Sequence, residues 1–494
     1  MIHVSDILQY ERCPQLVWNR SHYPLPFESF FHMDLPFHKL WMKYLGIENA
    51  VSGKTGDDNE TSLSLLKDCE VLVQGRFSYK DCRTRIPVLK KVENGYLAIY
   101  PYLNAFPKEK EARLMKINTY ILEKLGISIC ENRILYLNKD YVRKDALNLD
   151  ELFLMSDQLY NRRNHLNLTI QECMDKEDID LDDLIDKTKA ILESENRVIC
   201  KRSKKCTSGR RCSYYNTCFN EINEPDDSIL FLTTSSNKLA AYEKGISHLK
   251  DLPISELEGF RLQFAQYMAS KNGGYFMDSC AIHAWLSQIK YPISYLDFEW
   301  DTFAIPPYRG LKPFDVICFQ YSLHVEDKEE PLKHFDFFDY GDCREGFIRS
   351  LIHDVPKEGS ILVYNMEGAE KLRLKQLSEQ FPQYEKELKQ IYDRMIDLSK
   401  PFECGLFYDN RMRGHYSLKS VMPIFTEDYS YYDLSINDGL QAVKAYRIFE
   451  NADEEQRSQL RNNIRLYCKM DTFAEYIVYH GLLKLDQEEL KCQI

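Results

Sequence analysis

Two carboxylates one residue apart, Asp297 and Glu299, lie in the otherwise apolar and aromatic run of residues 295–299. Because side chains alternate between the two faces of a strand, we expect both carboxylates on one face, with Leu296 and Phe298 pointing into a core. Two like charges side by side repel each other, so the pattern favours a cation bound between them. The alternative is an exposed strand with a solvated acidic face.

A phenol and a carboxylate, Tyr467 and Asp471, lie four residues apart in segment 456–483, which is predicted to form one long amphipathic helix or two. This spacing places both side chains on one helix face, one turn apart. A metal nuclease can use such a pair, with the carboxylate holding a metal and the tyrosine orienting the attacking water or helping to deprotonate it. Many helices carry this pair by chance, so its meaning depends on the acidic strand that precedes it.

Four cysteines recur at intervals of six residues among basic and turn-forming residues: Cys200, Cys206, Cys212 and Cys218. Nearby cations favour the thiolate form, and a bound metal would hold such an irregular loop together. Structural zinc sites usually contain Cys-x-x-Cys pairs, which this segment lacks, so the spacing favours an iron–sulfur cluster over zinc. The alternative is a loop whose cysteines recur by coincidence.

The length, composition and net charge of the chain limit the class of protein. A chain of 494 residues is expected to form two or three domains, and 44% hydrophobic with 28% charged residues is typical of globular proteins. A net charge of −12 argues against a basic coat for bulk nucleic-acid binding, although a local basic groove could still steer phosphate. No apolar run reaches membrane-spanning length and the amino terminus lacks a leader pattern, so we expect a cytoplasmic protein without a membrane partner. The 15 cysteines are therefore not a disulfide framework.

Local patterns predict a mixed α/β chain. A first helix, capped by Ser5 and ended before Pro14, would place Cys13 at its end. The predicted strands cover residues 71–73, 86–89, 95–100, 134–138, 295–299, 317–323 and 361–365. Further predicted helices cover residues 113–125, 255–268, 281–288 and 370–380.

Three features follow one another along the chain: an Asp-x-Glu strand, a strand-to-helix segment with a further acidic residue, and a late Tyr-x-x-x-Asp helix. In that order they resemble the DEDDy 3′–5′ exonucleases of the DnaQ-like, RNase H-like superfamily. The resemblance implies that residues 291–494 form an RNase H-like domain that hydrolyses phosphodiester bonds with two Mg²⁺ or Mn²⁺ ions. It also implies that Asp297, Glu299 and Asp471 bind these metals and that Tyr467 orients the water.

The middle acidic ligand of that superfamily is usually an Asp in a segment resembling Asn-x-x-Phe-Asp, whereas residues 365–370 read Asn-Met-Glu-Gly-Ala-Glu. Glu370, at the predicted helix start, is the expected ligand, with Glu367 and Asp397 as alternatives.

Residues 411–419 form a basic and aromatic segment that contains His415 and Lys419. Such a segment is suited to holding a phosphate backbone or stacking a base, and a solvated loop is the alternative.

The amino-terminal half resembles the RecB-like PD-(D/E)XK nucleases, including CRISPR-associated members, in which one early and three later cysteines hold a [4Fe–4S] cluster. The resemblance implies Cys13, Cys206, Cys212 and Cys218 as its ligands and Cys200 as a spare.

Catalysis in the PD-(D/E)XK family needs an Asp on one strand and a Glu-x-Lys on the next, and both are missing around residues 85–88 and 98–102. Residues 1–224 are therefore expected to be a degenerate nuclease fold that serves as a platform for nucleic acid. Residues 225–290 are expected to be a helical linker. The whole order resembles a bacterial family that fuses these two regions.

The leading hypothesis from the sequence is a 3′–5′ exonuclease acting on DNA or RNA, on single strands or at 3′ ends. One alternative is a non-catalytic nucleic-acid-binding or scaffold protein with two inactive nuclease folds. A third interpretation is a colourless zinc-dependent structural adaptor. The deciding feature is whether Asp297, Glu299, Glu370 and Asp471 converge.

Overall fold

The computed structural model describes residues 2–26 and 37–492 of a mixed α/β protein with several sheets. The chain divides into two compact units, unit 1 with Met1–Phe219 and Phe303–Phe314, and unit 2 with Asn220–Thr302 and Asp315–Ile494. Residues 225–290 therefore fall within unit 2. Among residues 2–26 and 37–492, no helix combines the length and the apolar composition needed to span a bilayer.

Unit 1 contains nine strands and nine α-helices in its described residues. The strands are β1 Ile2–His3, β2 Val51–Ser52, β3 Val71–Tyr79, β4 Cys82–Val92, β5 Gly95–Pro101, β6 Ile129–Leu137, β7 Phe153–Ser156, β8 Gln158–Tyr160 and β9 Leu166–Thr169. The helices are α1 Val4–Arg12, α2 Pro14–His22, α3 Phe37–Tyr44, α4 Asn59–Asp68, α5 Ala112–Lys124, α6 Leu149–Leu152, α7 Ile170–Asp175, α8 Leu181–Glu193 and α9 Tyr215–Cys218.

The main sheet of unit 1 has the order β2-β3-β4-β5-β6-β7, with β1 added in parallel to β4. Along these strands, apolar side chains alternate between the two faces of the sheet and enter a separate core on each face. One core packs the sheet against α1, α5, α7 and α8 through residues such as Ile7, Ile121 and Ile185. The other contains Trp41 and the inserted segment Phe303–Phe314.

Unit 2 carries the remaining elements. Its strands are β10 Tyr275–Met277, β11 Ile293–Thr302, β12 Val316–Glu326, β13 Lys333–Phe338, β14 Ser360–Val363, β15 Met395–Asp397 and β16 Phe407–Asp409. Its helices are α10 Lys238–Glu243, α11 Arg261–Lys271, α12 Ser279–Leu286, α13 Arg344–Asp354, α14 Glu370–Gln380, α15 Glu385–Tyr392, α16 Lys400–Glu403, α17 Leu418–Phe425, α18 Gly439–Phe449 and α19 Glu454–Cys492.

The five-stranded sheet of unit 2 has the order β13-β12-β11-β14-β15. Strand β12 is antiparallel to both β13 and β11, and β14 and β15 continue in parallel to β11. Leu296 and Phe298 of β11 point into a core shared with Phe347 of α13, Leu374 of α14 and Ile391 of α15. The central strand is thus fixed by two neighbouring strands and by a packed face.

The opposite face of β11 and β12 is covered by α19, a single helix where the sequence allowed one or two. The ring of Tyr295 lies 5.6 Å from that of Tyr476, and Thr472 Oγ1 hydrogen-bonds Ser322 Oγ at 2.8 Å. Further along, a Cβ on Gly481 would lie only 2.2 Å from the ring of Phe425 in α17, so only glycine allows this close approach. These contacts fix α19 across the sheet.

The first helix begins two residues earlier than predicted, at Val4, because His3 rather than Ser5 precedes it in extended conformation. The side chain of Asp6 accepts the His3 backbone N–H at 2.8 Å and so closes the helix start. The predicted end before Pro14 is confirmed, and Cys13 lies between α1 and α2.

A buried ion pair ties β11 to α18. The Arg447 guanidinium donates to both carboxylate oxygens of Asp301, with N–O distances of 2.7 and 2.8 Å. Both side chains are almost fully buried. A bidentate pair of this kind satisfies each charge, whereas either charge alone would be left in a low-dielectric environment.

Replacing Arg447 with Met leaves the Asp301 carboxylate buried without its partner, so we expect the free energy of unfolding to fall by about 3–5 kcal/mol. Arg349→Met, which removes the exposed pair with Glu345, is the control and should have a much smaller effect. Urea titration with hydrogen-exchange mass spectrometry of β11 and α18 peptides measures both. Equal effects in the two variants would contradict the structural role of the buried pair.

Candidate metal centre

The acidic face of β11 carries Asp297 and Glu299. Asp297 and Glu299 lie on the face opposite Leu296 and Phe298, as predicted from the strand alternation. A register shift between β11 and β12 follows directly after Glu299. Such an irregularity increases local twist and often re-aims side chains beside a functional site.

Helix α19 supplies the third carboxylate. One carboxylate oxygen each from Asp297, Glu299 and Asp471 lie within 4.8 Å of one another. Glu299 and Asp471 are each 7% exposed, whereas Asp297 is only partly buried and marks the solvent side of the group. In the described residues no Lys, Arg or His forms an ion pair with any of the three. Hard oxygen ligands in this arrangement suit Mg²⁺ or Mn²⁺.

The electrostatics of this group are unfavourable without a cation. Burial, followed by the charge of Asp471, raises the pKa of Asp297 well above its ordinary value. Burial and the charges of Asp297 and Asp471 raise the pKa of Glu299 in the same direction. Burial raises the pKa of Asp471 to about 6, although a hydrogen bond from Tyr431 opposes this. The three side chains can therefore all be ionised at neutral pH only if positive charge is added.

Tyr467 lies one turn before Asp471 on the same face of α19, as its spacing predicted. Its hydroxyl accepts a hydrogen bond from Lys419 Nζ at 3.1 Å. Burial and the charge of Asp471 raise the pKa of Tyr467, so the phenol keeps its proton. Because its oxygen already accepts from Lys419, Tyr467 is set up to donate and not to remove a proton.

The three alternatives for the middle acidic position occupy different environments. Glu370 is 2% exposed at the start of α14, with an Oε2 atom that has no hydrogen-bond partner. Burial and the nearby charge of Asp297 raise the pKa of Glu370, but its oxygens are not in the 4.8 Å group. Glu367 is exposed and pairs with Lys371 at 2.7 Å. Of these two glutamates, Glu370 is the buried one, and it lies near enough to Asp297 for that charge to raise its pKa.

Asp397 is buried but fully engaged in hydrogen bonds within unit 2. Its carboxylate accepts the backbone N–H groups of Asn365, Met366 and Ser399 at 2.9 to 3.1 Å, and the Ser399 hydroxyl at 2.7 Å. It therefore holds the turn after β14, where Asn365 has a left-handed φ of 66°. Asp397 supports the site through the backbone.

Three neighbours of the carboxylates were not found from the sequence. Glu475 is buried with an unpartnered Oε2, and its spacing of four residues from Asp471 was a usable signal. Tyr431 donates to Asp471 Oδ1 at 2.6 Å, and Cys468 Sγ donates to Asp297 Oδ2 at 3.2 Å. Nothing local in the sequence distinguishes this tyrosine or this cysteine from core residues.

The basic and aromatic segment predicted to contact substrate borders this site. Lys419 Nζ lies 4.9 Å from the ring centroid of Tyr467 and donates to the Asn437 carbonyl at 2.6 Å. His415 lines a cavity of about 580 Å³ together with Tyr364, Asn365, Ser399, Glu403 and residues 414–418. The Tyr364 hydroxyl donates to the Tyr416 carbonyl across this cavity wall. The segment is thus part of the wall of a cleft.

Five of the nine cysteines of unit 1 form a second candidate site. All five line one cavity: Cys13, Cys200, Cys206, Cys212 and Cys218. Within residues 2–26 and 37–492, no three of their sulfur atoms lie within 4.8 Å of one another, whereas three carboxylates of unit 2 do. Cys200, expected to be a spare, therefore lies with the four expected ligands.

Basic residues connect the cysteine loop to α1. Arg12 donates to the carbonyls of Lys205 and Arg210 at 3.2 and 2.7 Å, and Lys205 Nζ donates to the Glu11 carbonyl at 2.8 Å. Burial is the largest cause that raises the pKa of Cys13, to about 11. A buried thiol group of this kind is protonated at neutral pH unless a metal binds it.

Comparison with known proteins gives one match. The model of a domain of unknown function (DUF2779) matches residues 294–417. That segment contains Asp297, Glu299 and Glu370 but ends before α17 and α19. No curated protein and no solved structure matches the chain.

Adding Mn²⁺ to the metal-free protein should raise its unfolding temperature, since a ligand that binds only the folded state stabilises that state. At a Mn²⁺ concentration of a hundred times Kd, the free energy of unfolding should increase by about 3 kcal/mol. Asp297→Asn should remove most of this shift and leave the metal-free protein at least as stable, because one of three repelling carboxylates becomes neutral. Glu367→Gln, at an exposed carboxylate, should keep the shift. Differential scanning calorimetry with EDTA or Mn²⁺ measures these differences, and a full shift in Asp297→Asn would exclude this metal site.

The resemblance implies a [4Fe–4S] cluster with Cys212 as a ligand, so protein purified without oxygen should be coloured and contain iron, and Cys212→Ser should lose most of both. Cys130→Ser, at an exposed cysteine of unit 1 outside the cavity, is the matched control. Elemental analysis and visible absorbance measure the outcome. A colourless zinc protein would contradict the cluster and support the zinc interpretation.

Proposed function

We propose that this protein is a metal-dependent nuclease that shortens single-stranded DNA or RNA from its 3′ end. The observation that carries the proposal is the convergence of Asp297, Glu299 and Asp471 within 4.8 Å, with Tyr467 on the same helix face as Asp471. Nucleases that hydrolyse phosphodiester bonds use such carboxylate groups to hold divalent ions. In this proposal the reaction takes place in the cytoplasm and in residues 291–494.

The topology of unit 2 supports the RNase H-like part of the proposal. Three antiparallel strands are followed by two parallel strands, and helices pack on both faces of the sheet. The order is compatible with an RNase H-like fold whose first strand is central and acidic. Together with the late helix α19, it supports the resemblance to the DEDDy exonucleases.

The residues present fit two divalent ions. Three carboxylates are grouped, and Glu370 and Glu475 each have a buried oxygen without a hydrogen-bond partner. The site therefore contains more buried hydrogen-bond acceptors than the donors of the chain satisfy. Asp297, Glu299 and Asp471 would hold the ions, with Glu370 as the fourth ligand. When bound, Mg²⁺ or Mn²⁺ would lower the pKa of a water and neutralise charge on the leaving 3′ oxygen.

The chain's own side chains would orient the reactants. Tyr467 keeps its proton and would donate a hydrogen bond to the water, holding it in line for attack. Lys419 fixes the Tyr467 hydroxyl and adds a positive charge beside the carboxylates, where the phosphate becomes more negative. Asp471 is in turn oriented by the Tyr431 hydroxyl.

The cleft around His415 is the proposed path of the strand. Its wall combines the rings of Tyr364, His415 and Tyr416 with the hydroxyl of Ser417. Aromatic rings stack on bases of any sequence, and a basic neighbour such as Lys419 attracts the backbone. This composition supports a single strand over a paired duplex.

We further propose that unit 1 is the PD-(D/E)XK-like region, with a [4Fe–4S] cluster as its structural support. The cavity lined by all five cysteines and by Arg12 and Lys205 fits such a group in its donor chemistry. The catalytic carboxylates expected around residues 85–88 and 98–102 are absent from the sequence. Unit 1 would therefore bind nucleic acid and leave hydrolysis to unit 2.

With Mn²⁺, the purified protein should shorten a 5′-labelled single strand stepwise from its 3′ end. Asp297→Ala should lower the rate by at least about a thousandfold, since a lost ligand removes several kcal/mol of transition-state stabilisation. A gel assay run on DNA and RNA side by side measures the rate and shows which substrate is preferred.

Glu367→Gln is the matched control for that assay, because this carboxylate is exposed and paired with Lys371. Its rate should equal that of the unchanged protein. Full activity in Asp297→Ala would exclude the proposed site. Strand binding without any shortening would favour the non-catalytic scaffold.

A further inference from the structure

Unit 1 contains an arginine-lined cavity of about 370 Å³ on the β3–β4 hairpin. Arg76 of β3 lies directly opposite Arg85 of β4, and Arg83 lies two residues before Arg85. Residues opposite each other, and residues two apart on one strand, share a face. His3 of β1 lies beside Arg83 in the same register, so four basic side chains line one surface.

This group of arginines has no acidic counterpart. No carboxylate lines the cavity, and within the described part of the chain none of the three arginines forms an ion pair. Arg83 donates to the backbone carbonyl of Asp57 at 2.7 Å, and a carboxylate oxygen of Asp57 accepts the Lys54 N–H at 2.6 Å. Arg76 Nε is buried without a hydrogen-bond partner.

Repulsion among these cations is the main electrostatic feature of the surface. Burial, followed by the charges of Arg85 and Arg83, lowers the pKa of Arg76, and the charge of Asp57 opposes this less strongly. Like charges directly opposite each other on paired strands destabilise the pairing. An anion bound between the arginines would offset this repulsion and stabilise the strand pairing.

The floor of the cavity adds neutral donors. Thr84 donates to Asn118 Oδ1 at 2.6 Å, and Asn118 Nδ2 donates to the Tyr100 hydroxyl at 3.4 Å. The Tyr100 oxygen is thereby an acceptor, and its own proton remains available to a ligand. The first turn of α1, with Val4 and Ser5, forms a further wall, and the positive end of the helix dipole favours negative charge there.

We propose that this cavity binds the terminal phosphate of a nucleotide or nucleic-acid strand without a metal ion. A terminal phosphate carries about −1.5 to −2 charges at neutral pH, against −1 for a phosphodiester, and so matches several guanidinium groups better. Guanidinium groups bind phosphate in a bidentate manner. The volume is in the range of small-ligand sites, about 300–1,000 Å³, and admits the phosphate with its nucleoside.

The cavity lies where the resemblance to PD-(D/E)XK nucleases expects catalytic residues, which indicates its role. Arg85, Pro87 and Tyr100 come from the two segments in which the PD-(D/E)XK resemblance expects catalytic carboxylates. Arginine and tyrosine bind an anion but do not hold a metal, so this site would retain a phosphorylated end without cutting it. The inference does not depend on nuclease activity of unit 2.

The test uses the full chain carrying Asp297→Ala, in EDTA, with fluorescently labelled oligonucleotides that bear a 5′-phosphate, a 3′-phosphate or only hydroxyl ends. One phosphorylated strand should bind at least about tenfold more tightly than the hydroxyl strand, as one charge-assisted hydrogen bond predicts. The end that gains affinity identifies which terminus is bound. Inorganic phosphate should compete with it, and fluorescence anisotropy measures each Kd.

Arg76→Gln and Arg85→Gln should each remove most of the preference for the phosphorylated strand. Both should unfold at the same or a higher temperature than the parent, because a repulsive contact is lost. Arg133→Gln, at a half-exposed arginine on β6 paired with Glu131, changes charge equally and should keep the preference. Equal binding of all three strands, or an equal loss in Arg133→Gln, would overturn the proposal.

Discussion

Mutual repulsion among buried carboxylates is the constraint on which unit 2 depends. Asp297, Glu299 and Asp471 meet within 4.8 Å where helix α19 covers strand β11. Such a group persists only when the elements that carry it are fixed by other interactions. The central place of β11 in the sheet, its packed face and the buried Asp301–Arg447 pair provide this stability.

The opposite side of the group is fixed by the placement of α19. Thr472, next to Asp471, hydrogen-bonds both Ser322 and His324 of β12 at 2.8 Å. Burial lowers the pKa of His324 to about 3, so this imidazole is neutral at physiological pH and adds no charge beside the acidic group. The helix is therefore positioned by neutral hydrogen bonds, and the carboxylates are left available for a cation.

Much of the site could be predicted because its signals are local. Strand alternation was enough to place Asp297 and Glu299 together, and the helical spacing was enough to place Tyr467 beside Asp471. The same helical spacing places Glu475 beside Asp471, although the predicted site did not include Glu475. Mixed α/β composition and the helix Glu370–Gln380 also followed from periodicity.

The remainder depends on contacts between distant parts of the chain. Tyr431 reaches Asp471 across forty residues, and Cys200 joins Cys13 across nearly the whole of unit 1. The return of Phe303–Phe314 to unit 1 is likewise a property of tertiary packing. Local periodicity carries no information on which distant elements pair, so these features needed the structure.

Each unit places like charges close together, negative charges in unit 2 and positive charges in unit 1. In unit 2, acidic side chains crowd on the face of a central strand, and in unit 1 arginines lie opposite each other on a hairpin. Neither crowding stabilises the fold by itself, since like charges on neighbouring positions repel. A folded chain tolerates such repulsion where a ligand of opposite charge offsets it, a divalent cation in one case and an oxyanion in the other.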